Sequence, residues 1–148
     1  MVTDRTALRD LVDAYARHVD RRDALSVAAL FTADGRLVSR LHDGGGDSPI
    51  VRRGRDEIAA ALTAGLDRYL VTTHVVGGQV VTVDGDVATG DTVCLAHHVY
   101  VGSDGRRMLV MAVRYADTYA RQHEGWAFAE RQLSLDWRED RTMEDRRP

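Results

Sequence analysis

Val71-Thr-Thr-His-Val-Val-Gly-Gly-Gln-Val-Val-Thr-Val83 is the stretch whose reading decides the fold. β-Branched residues fill it, and the helical spacing of the preceding residues gives way to a period of two. Three more runs of the same habit follow, Val87–Val101, Met108–Tyr119 and Trp126–Trp137, parted by turn signals at Asp84-Gly-Asp86, Gly102-Ser-Asp-Gly105 and Gln122-His-Glu-Gly125. They predict a four-strand antiparallel meander. Gly77-Gly78, inside the first run, predicts the bulge or sharp bend that a strongly curved sheet needs.

Upstream, Ala7, Leu8, Leu11, Val12, Tyr15 and Val19 form one helical stripe over residues 4–19, with Asp4 placed to cap it. Ala24 to Phe31 predicts a shorter helix, Thr32-Ala-Asp-Gly35 a stop and turn, and Arg36 to Leu41 a short strand. The run Asp43-Gly-Gly-Gly-Asp-Ser-Pro49 is rich in turn formers and reads as a mobile loop, a lip over a pocket. Glu57 to Leu66 carries strong helix formers, led in by Gly54 and Arg55. The charged tail, 138–148, reads as frayed. Helices first and a long curved sheet after them predict an α+β fold: a mixed, cone-shaped sheet or partial barrel with the helices over one face and a pocket in the concavity. Residues 1–148 read as a single domain with its core over about 4–137.

The chain has 20 Lys+Arg against 23 Asp+Glu, net −3, which offers no electrostatic case for a nucleic-acid or anionic-membrane partner. The first thirty residues lack a signal-peptide pattern and no window approaches a membrane span, so the expectation is a cytoplasmic protein with a small-molecule substrate. A single cysteine, Cys94, excludes an internal disulfide and multi-cysteine zinc patterns, and its neighbours suggest a buried small hydrophobe. Both parities of Met108–Ala116 are largely apolar, which predicts that the outer sheet face is also covered, most simply in a homo-oligomer.

Asp20 and His74 are ionisable residues where an apolar pattern points inward. An aspartate that meets an imidazole fixes its tautomer and stabilises its protonated form, which makes the histidine a competent general base. Tyr15 lies on the core stripe and its hydroxyl needs a partner. On the last strand, Glu130, Gln132, Ser134 and Asp136 form a polar face, while Arg131 shares the other with Ala129, Leu133, Leu135 and Trp137. An inward guanidinium needs an acid or a ligand, and either Asp20 or a substrate oxygen would serve; a bulge in the strand, or a side chain reaching the rim, is the structural alternative. His97 and His98 alternate between faces, which argues against a metal shared with His74, so no metal is expected. His18, His42 and His123 fall in surface or loop contexts. No Gly-x-Ser-x-Gly elbow, phosphate loop or dinucleotide fingerprint occurs, which leaves a mechanism without cofactors.

Leu11-Val-Asp-Ala-Tyr-Ala-Arg-His-Val-Asp20, Leu30-Phe-Thr-Ala-Asp-Gly35, Val51-Arg-Arg-Gly-Arg-Asp-Glu-Ile58, Thr73-His-Val-Val76 and Gly125-Trp-Ala-Phe128, in that order, resemble the SnoaL-like branch of the nuclear-transport-factor-2-like superfamily. That branch includes scytalone dehydratase, bile-acid 7α-dehydratase, hexachlorocyclohexane dehydrochlorinase and polyketide cyclases. The resemblance implies a cone-shaped sheet around a pocket and a catalytic dyad at Asp20 and His74. It implies a pocket tyrosine at Tyr15 and a pocket arginine at Arg131. On the Cys94 strand it favours Thr92, Cys94, Ala96 and His98 inward, with His97 in place of His98 if the register slips by one. With Met111 and Tyr115 on the next strand, Arg131, His98 and Cys94 make up the candidate substrate-binding set. The implied activity is a cofactor-independent lyase or isomerase, dehydratase-like, on a small apolar ring compound. A polyketide or epoxide-opening cyclase and a non-catalytic ligand-binding or assembly domain are the alternatives.

Overall fold

The computed structural model describes residues 2–41 and 48–144. The loop reading at residues 43–47, that of His42 and the last tail residues, 145–148, lie outside the described residues. The chain runs α1 (Asp4–Asp20), α2 (Ala24–Ala29), β1 (Phe31–Arg40), β2 (Ile50–Arg53), α3 (Gly54–Leu66), β3 (Val71–Asp84), β4 (Val87–Gly102), β5 (Gly105–Gln122) and β6 (Gly125–Thr142). The strands form one mixed sheet in the order β2-β1-β6-β5-β4-β3, with β1 parallel to β6 and every other pair antiparallel. The helices pack on its concave face, as an α+β reading requires.

The meander predicted after residue 70 is present as β3 to β6, and the register of β3 against β4 shifts between Val76 and Gln79, at Gly77-Gly78. A Cβ on Gly77 would lie 2.8 Å from Val93 Cγ2 and 3.2 Å from its carbonyl oxygen, so only glycine lets the strands approach there. The bend exposes the carbonyls of Val76 and Gly77, and Arg9 of α1 donates to both, at 3.4 and 2.8 Å. The start of α1 is fastened to the β5–β6 hairpin by Asp4, which accepts from both terminal nitrogens of Arg121 and from Trp126 Nε1 at 2.9 Å. Thr3, not Asp4, is the N-cap, its hydroxyl accepting from Thr6 N. These ties lay α1 along β3 and bring its last residue, Asp20, beside the start of that strand.

Four local expectations are corrected. Thr32–Gly35 does not stop the chain but belongs to β1, where the pairing with β6 jumps from Phe31↔Phe128 to Arg36↔Glu130. A Cβ on Gly35 would meet Phe31 Cβ at 2.9 Å and Phe128 O at 3.1 Å, so this glycine serves the tight bulge rather than a free turn. α2 ends at Ala29 and Phe31 already opens β1. The tail is not frayed through 138–142, because β5 reaches back to Gly105 and offers backbone partners as far as Arg107↔Thr142. Finally, a shift between Ala112 and Val113 places Leu135 opposite Val113 and Trp137 opposite Ala112, which turns Trp137 to the outer face, where it is 50 % exposed. Among the described residues no helix is long and apolar enough to cross a membrane.

Candidate active site

Asp20 ends α1, and Thr72 and His74 sit two apart on β3, on the face turned toward the helices. Three donors from this strand converge on one carboxylate. Asp20 Oδ1 lies 2.6 Å from His74 Nδ1 and accepts from Thr72 Oγ1 at 3.0 Å, while Oδ2 accepts from the His74 backbone N–H at 2.9 Å. Burial pushes the Asp20 carboxyl up, but the hydrogen bonds from His74 and Thr72 outweigh it and hold the group below the usual carboxylate range. An ionised Asp20 accepts a proton-bearing Nδ1, which leaves the lone pair of His74 on Nε2, the tautomer that general-base chemistry needs.

Two hollows flank this pair. The larger, about 840 Å³, lies between α3 and the inner faces of β1 and β4 to β6, and its wall includes Tyr15, Tyr69, His98 and Met111. The smaller, about 360 Å³, is an open cleft between α1 and β3 bordered by Arg9, Asp13, Arg17, Arg21, Asp20 and His74. The His74 ring meets the His98 ring edge to face, centroids 5.8 Å apart, so His98 stands between the dyad and the larger cavity. His98 points inward and is buried; His97 points outward, with Nδ1 3.2 Å from Thr73 O. Burial first, and then the nearby His74, push the His98 pKa down to about 4, so its ring is neutral at physiological pH. Its Nδ1 is buried with no partner among the described residues.

Tyr15 is buried, and loss of solvent raises its pKa to about 12, against the opposing pull of Arg131, so it is a protonated phenol. Arg131 is fully buried, yet neither Asp20 nor the cavity satisfies it. Its Nε and Nη2 donate to Asp117 Oδ1 and Oδ2 at 2.8 and 2.9 Å, and its plane is boxed by Tyr115, Tyr15 and Phe128, with ring centroids 3.8 to 4.4 Å from its central carbon. Tyr119 completes the group by donating to Asp117 Oδ2 at 2.9 Å. Tyr115 and Cys94 are also buried in this core and border neither hollow; burial raises both their pKa values, which keeps the Cys94 thiol protonated and unreactive. Of the residues expected to bind substrate, His98 and Met111 therefore face the large cavity, and Arg131, Tyr115 and Cys94 lie beneath its floor.

Asp117 was missed by the sequence reading, although it shares the inward parity of Met111 and Tyr115 and pairs in register with Arg131. Counting from the Gln122↔Gly125 pair would set Asp117 opposite Glu130, and the register shift between Thr118 and Tyr119, which no sequence signal marked, brings it opposite Arg131 instead. Tyr69 and Arg138 of the cavity wall were also missed, the second because the tail was read as frayed. Among the described residues no cluster of three His, Cys, Asp or Glu side chains is disposed to hold a metal ion.

Comparison with known proteins places this architecture. An uncharacterized protein of Mycobacterium tuberculosis, Rv2910c, is 26 % identical over 131 residues, which span 88 % of this chain and 84 % of that protein. Kfla4162 of Kribbella flavida superposes with a TM-score of 0.77 at 26 % identity, covering 92 % of this chain and 93 % of that one. The hexachlorocyclohexane dehydrochlorinase LinA-type3 of Novosphingobium barchaimii superposes with a TM-score of 0.75 over 97 % of this chain and 94 % of that one; at 19 % identity the likeness is one of fold. The model of the SnoaL-like domain matches residues 1–132, from α1 into β6, and the chain belongs to that family.

Proposed function

We propose that this protein is a cofactor-independent lyase or isomerase, dehydratase-like, in which His74 held by Asp20 removes a proton from a small, largely apolar ring compound. The 2.6 Å contact between His74 Nδ1 and Asp20 Oδ1 carries the reading. In the elimination, His74 Nε2 takes a proton from the carbon next to a carbonyl, and the electron pair of that C–H bond passes to the carbonyl oxygen. The Tyr15 phenol, protonated and on the cavity wall, is suited to donate to this oxyanion. As the carbonyl reforms, the bond to a neighbouring hydroxyl breaks, and the imidazolium returns its proton to the departing group, giving water. His74 borders the cleft and not the large cavity, so the productive complex requires the His98 ring to swing aside and open the wall between them. A cyclase would use the same base and oxyanion donor, and product analysis separates the two.

The same wall favours a second reading of another class, a ligand-binding domain in which Asp20 and His74 form only a structural bond. Exchange of deuterium from D2O into the α-position of 2-tetralone, followed by NMR, distinguishes them. Catalysed exchange that disappears in both His74→Ala and Asp20→Asn supports the base. Exchange no faster than with buffer, or equal in both variants, leaves the binding domain.

The outer face supports assembly as a homo-oligomer. Val75, Leu95, Ala112 and Trp137 form one cross-strand row there, and Val75, Leu95 and Trp137 are 52 %, 40 % and 50 % exposed. The described residues share one sheet, which supports reading 1–148 as one domain.

A further inference from the structure

We propose that Arg22 is a positioning residue of this site: from the turn that follows Asp20 it holds Tyr69, and through Tyr69 the His98 ring, so that it sets how readily the wall between the dyad and the large cavity opens. The inference rests on the part given to that wall in the proposed mechanism and names the side chain that controls it.

The end of α1 carries the first observation. Asp23 N donates to His18 O and Arg22 N to Val19 O, both at 2.9 Å, the paired hydrogen bonds that close a helix on one left-handed residue. Glycine is the usual occupant of that position, because a Cβ is strained there. Here it is Arg22, at φ 59°, the one positive-φ residue other than glycine among the described residues. Residues strained in this way persist where the surrounding structure holds them, and they cluster at functional sites.

The guanidinium supplies the second. Nη1 donates to Leu66 O at 2.7 Å and Nη2 to Tyr69 O, so one planar fork spans the end of α3 and the residue three positions on. Leu66 O, which also accepts from Tyr69 N at 3.0 Å, is one of the carbonyls that a helix leaves open at its C-terminus. The same connection is fastened to β4, where Leu70 N donates to Val99 O at 2.7 Å, next to His98. The backbone of Tyr69 is thus held from two elements.

The third observation leads back to the dyad. The Tyr69 ring is buried and packs on the His98 ring with centroids 4.6 Å apart, and His98 meets His74 edge to face at 5.8 Å. Both Tyr69 and His98 belong to the wall of the large cavity. Asp20 and Arg22, two residues apart, therefore reach one wall by two routes, Asp20 through His74 and Arg22 through Tyr69. In a close-packed interior the His98 ring, clasped between them, turns aside only as far as Tyr69 yields.

Two substitutions test this, with circular dichroism as the check on folding. Arg22→Gly removes the fork and keeps the left-handed turn, so the end of α1 is expected to form as before; Tyr69→Leu removes the ring and keeps apolar bulk. Each is measured by deuterium exchange into 2-tetralone and by NMR titration of the His98 ring. With Tyr69 released the wall is open for a larger fraction of the time, and kcat/KM for exchange should rise about threefold or more, in proportion to that fraction. Loss of structure lowers a rate, so a rise marks release of the wall. As solvent reaches His98, its pKa should climb from about 4 toward the ordinary 6.5. His74 and Arg68, the charged neighbours that also lower it, stay in place in both variants. In the double variant the changes should equal those of one substitution rather than their sum, because Arg22 acts through Tyr69. An unmoved His98 titration in a folded Arg22→Gly, a kcat/KM that does not rise, or summed changes in the double variant overturns the proposal; should Arg22→Gly unfold, Arg22→Lys, which keeps a cation without the fork, is read by the same criteria. If no protein catalyses exchange, the mechanism falls and the His98 titration alone decides this inference; wild-type exchange with an unmoved titration does the reverse.

Discussion

Asp117 and Arg131 face each other on β5 and β6 and are joined by two hydrogen bonds, 2.8 and 2.9 Å, with both side chains fully buried. This pairing leaves Asp20 free for His74. Removing one member strands the other charge in the core, so Asp117→Ala is expected to destabilise the protein by about 3–5 kcal/mol. Denaturant unfolding measures it. The double variant Asp117→Leu/Arg131→Met, which removes both charges, should recover much of the loss; a double variant as unstable as the single one would show that packing, not charge, is at stake.

Thr72 positions the dyad through its 3.0 Å hydrogen bond to Asp20. Thr72→Val should lower stability by about 1 kcal/mol, the net worth of one such bond. The Asp20 carboxyl is held below its ordinary value in the folded protein, so its contribution is present above that ordinary value and is lost as pH falls through the lowered one. With Thr72 gone the lowered value rises, and the acid limb of the tetralone exchange rate should move to higher pH. Unchanged limbs in the two proteins would deny Thr72 this positioning role.

His98 adds a second acid-sensitive element. Its folded pKa of about 4 lies below the ordinary 6.5, so the unfolded chain binds a proton between those values that the folded chain refuses. Stability is full above about 6.5 and declines as pH falls toward 4, by up to about 3 kcal/mol for a group this deeply buried. Melting temperatures across that window should fall steeply for wild type and less steeply for His98→Asn. Parallel curves would contradict the buried, neutral state of this ring.

The outer face predicts a change of mass. Light scattering of the wild type should report an oligomer, and Leu95→Asp or Trp137→Asp, each placing a charge in the apolar row, should yield monomers with the sheet intact by circular dichroism. A monomeric wild type at micromolar concentration would remove the expectation.

The sequence by itself determined the element types. Period-two runs after residue 70, the turn signals between them, and the apolar stripe from Leu8 to Val19 are local patterns, and backbone geometry allows each few alternatives. Gly77-Gly78 announced its bulge, and Asp20 and His74 stood out because charged residues rarely occupy inward positions. What only the tertiary structure decided was which groups meet. Register across β5 and β6 matched Arg131 to Asp117, and a one-residue shift turned Trp137 outward, both effects of pairing between strands rather than of either strand's composition. The meeting of His98 on β4 with His74 on β3 set the wall between the Asp20–His74 pair and the large cavity. Such meetings depend on non-local packing, and no window of the sequence contains it.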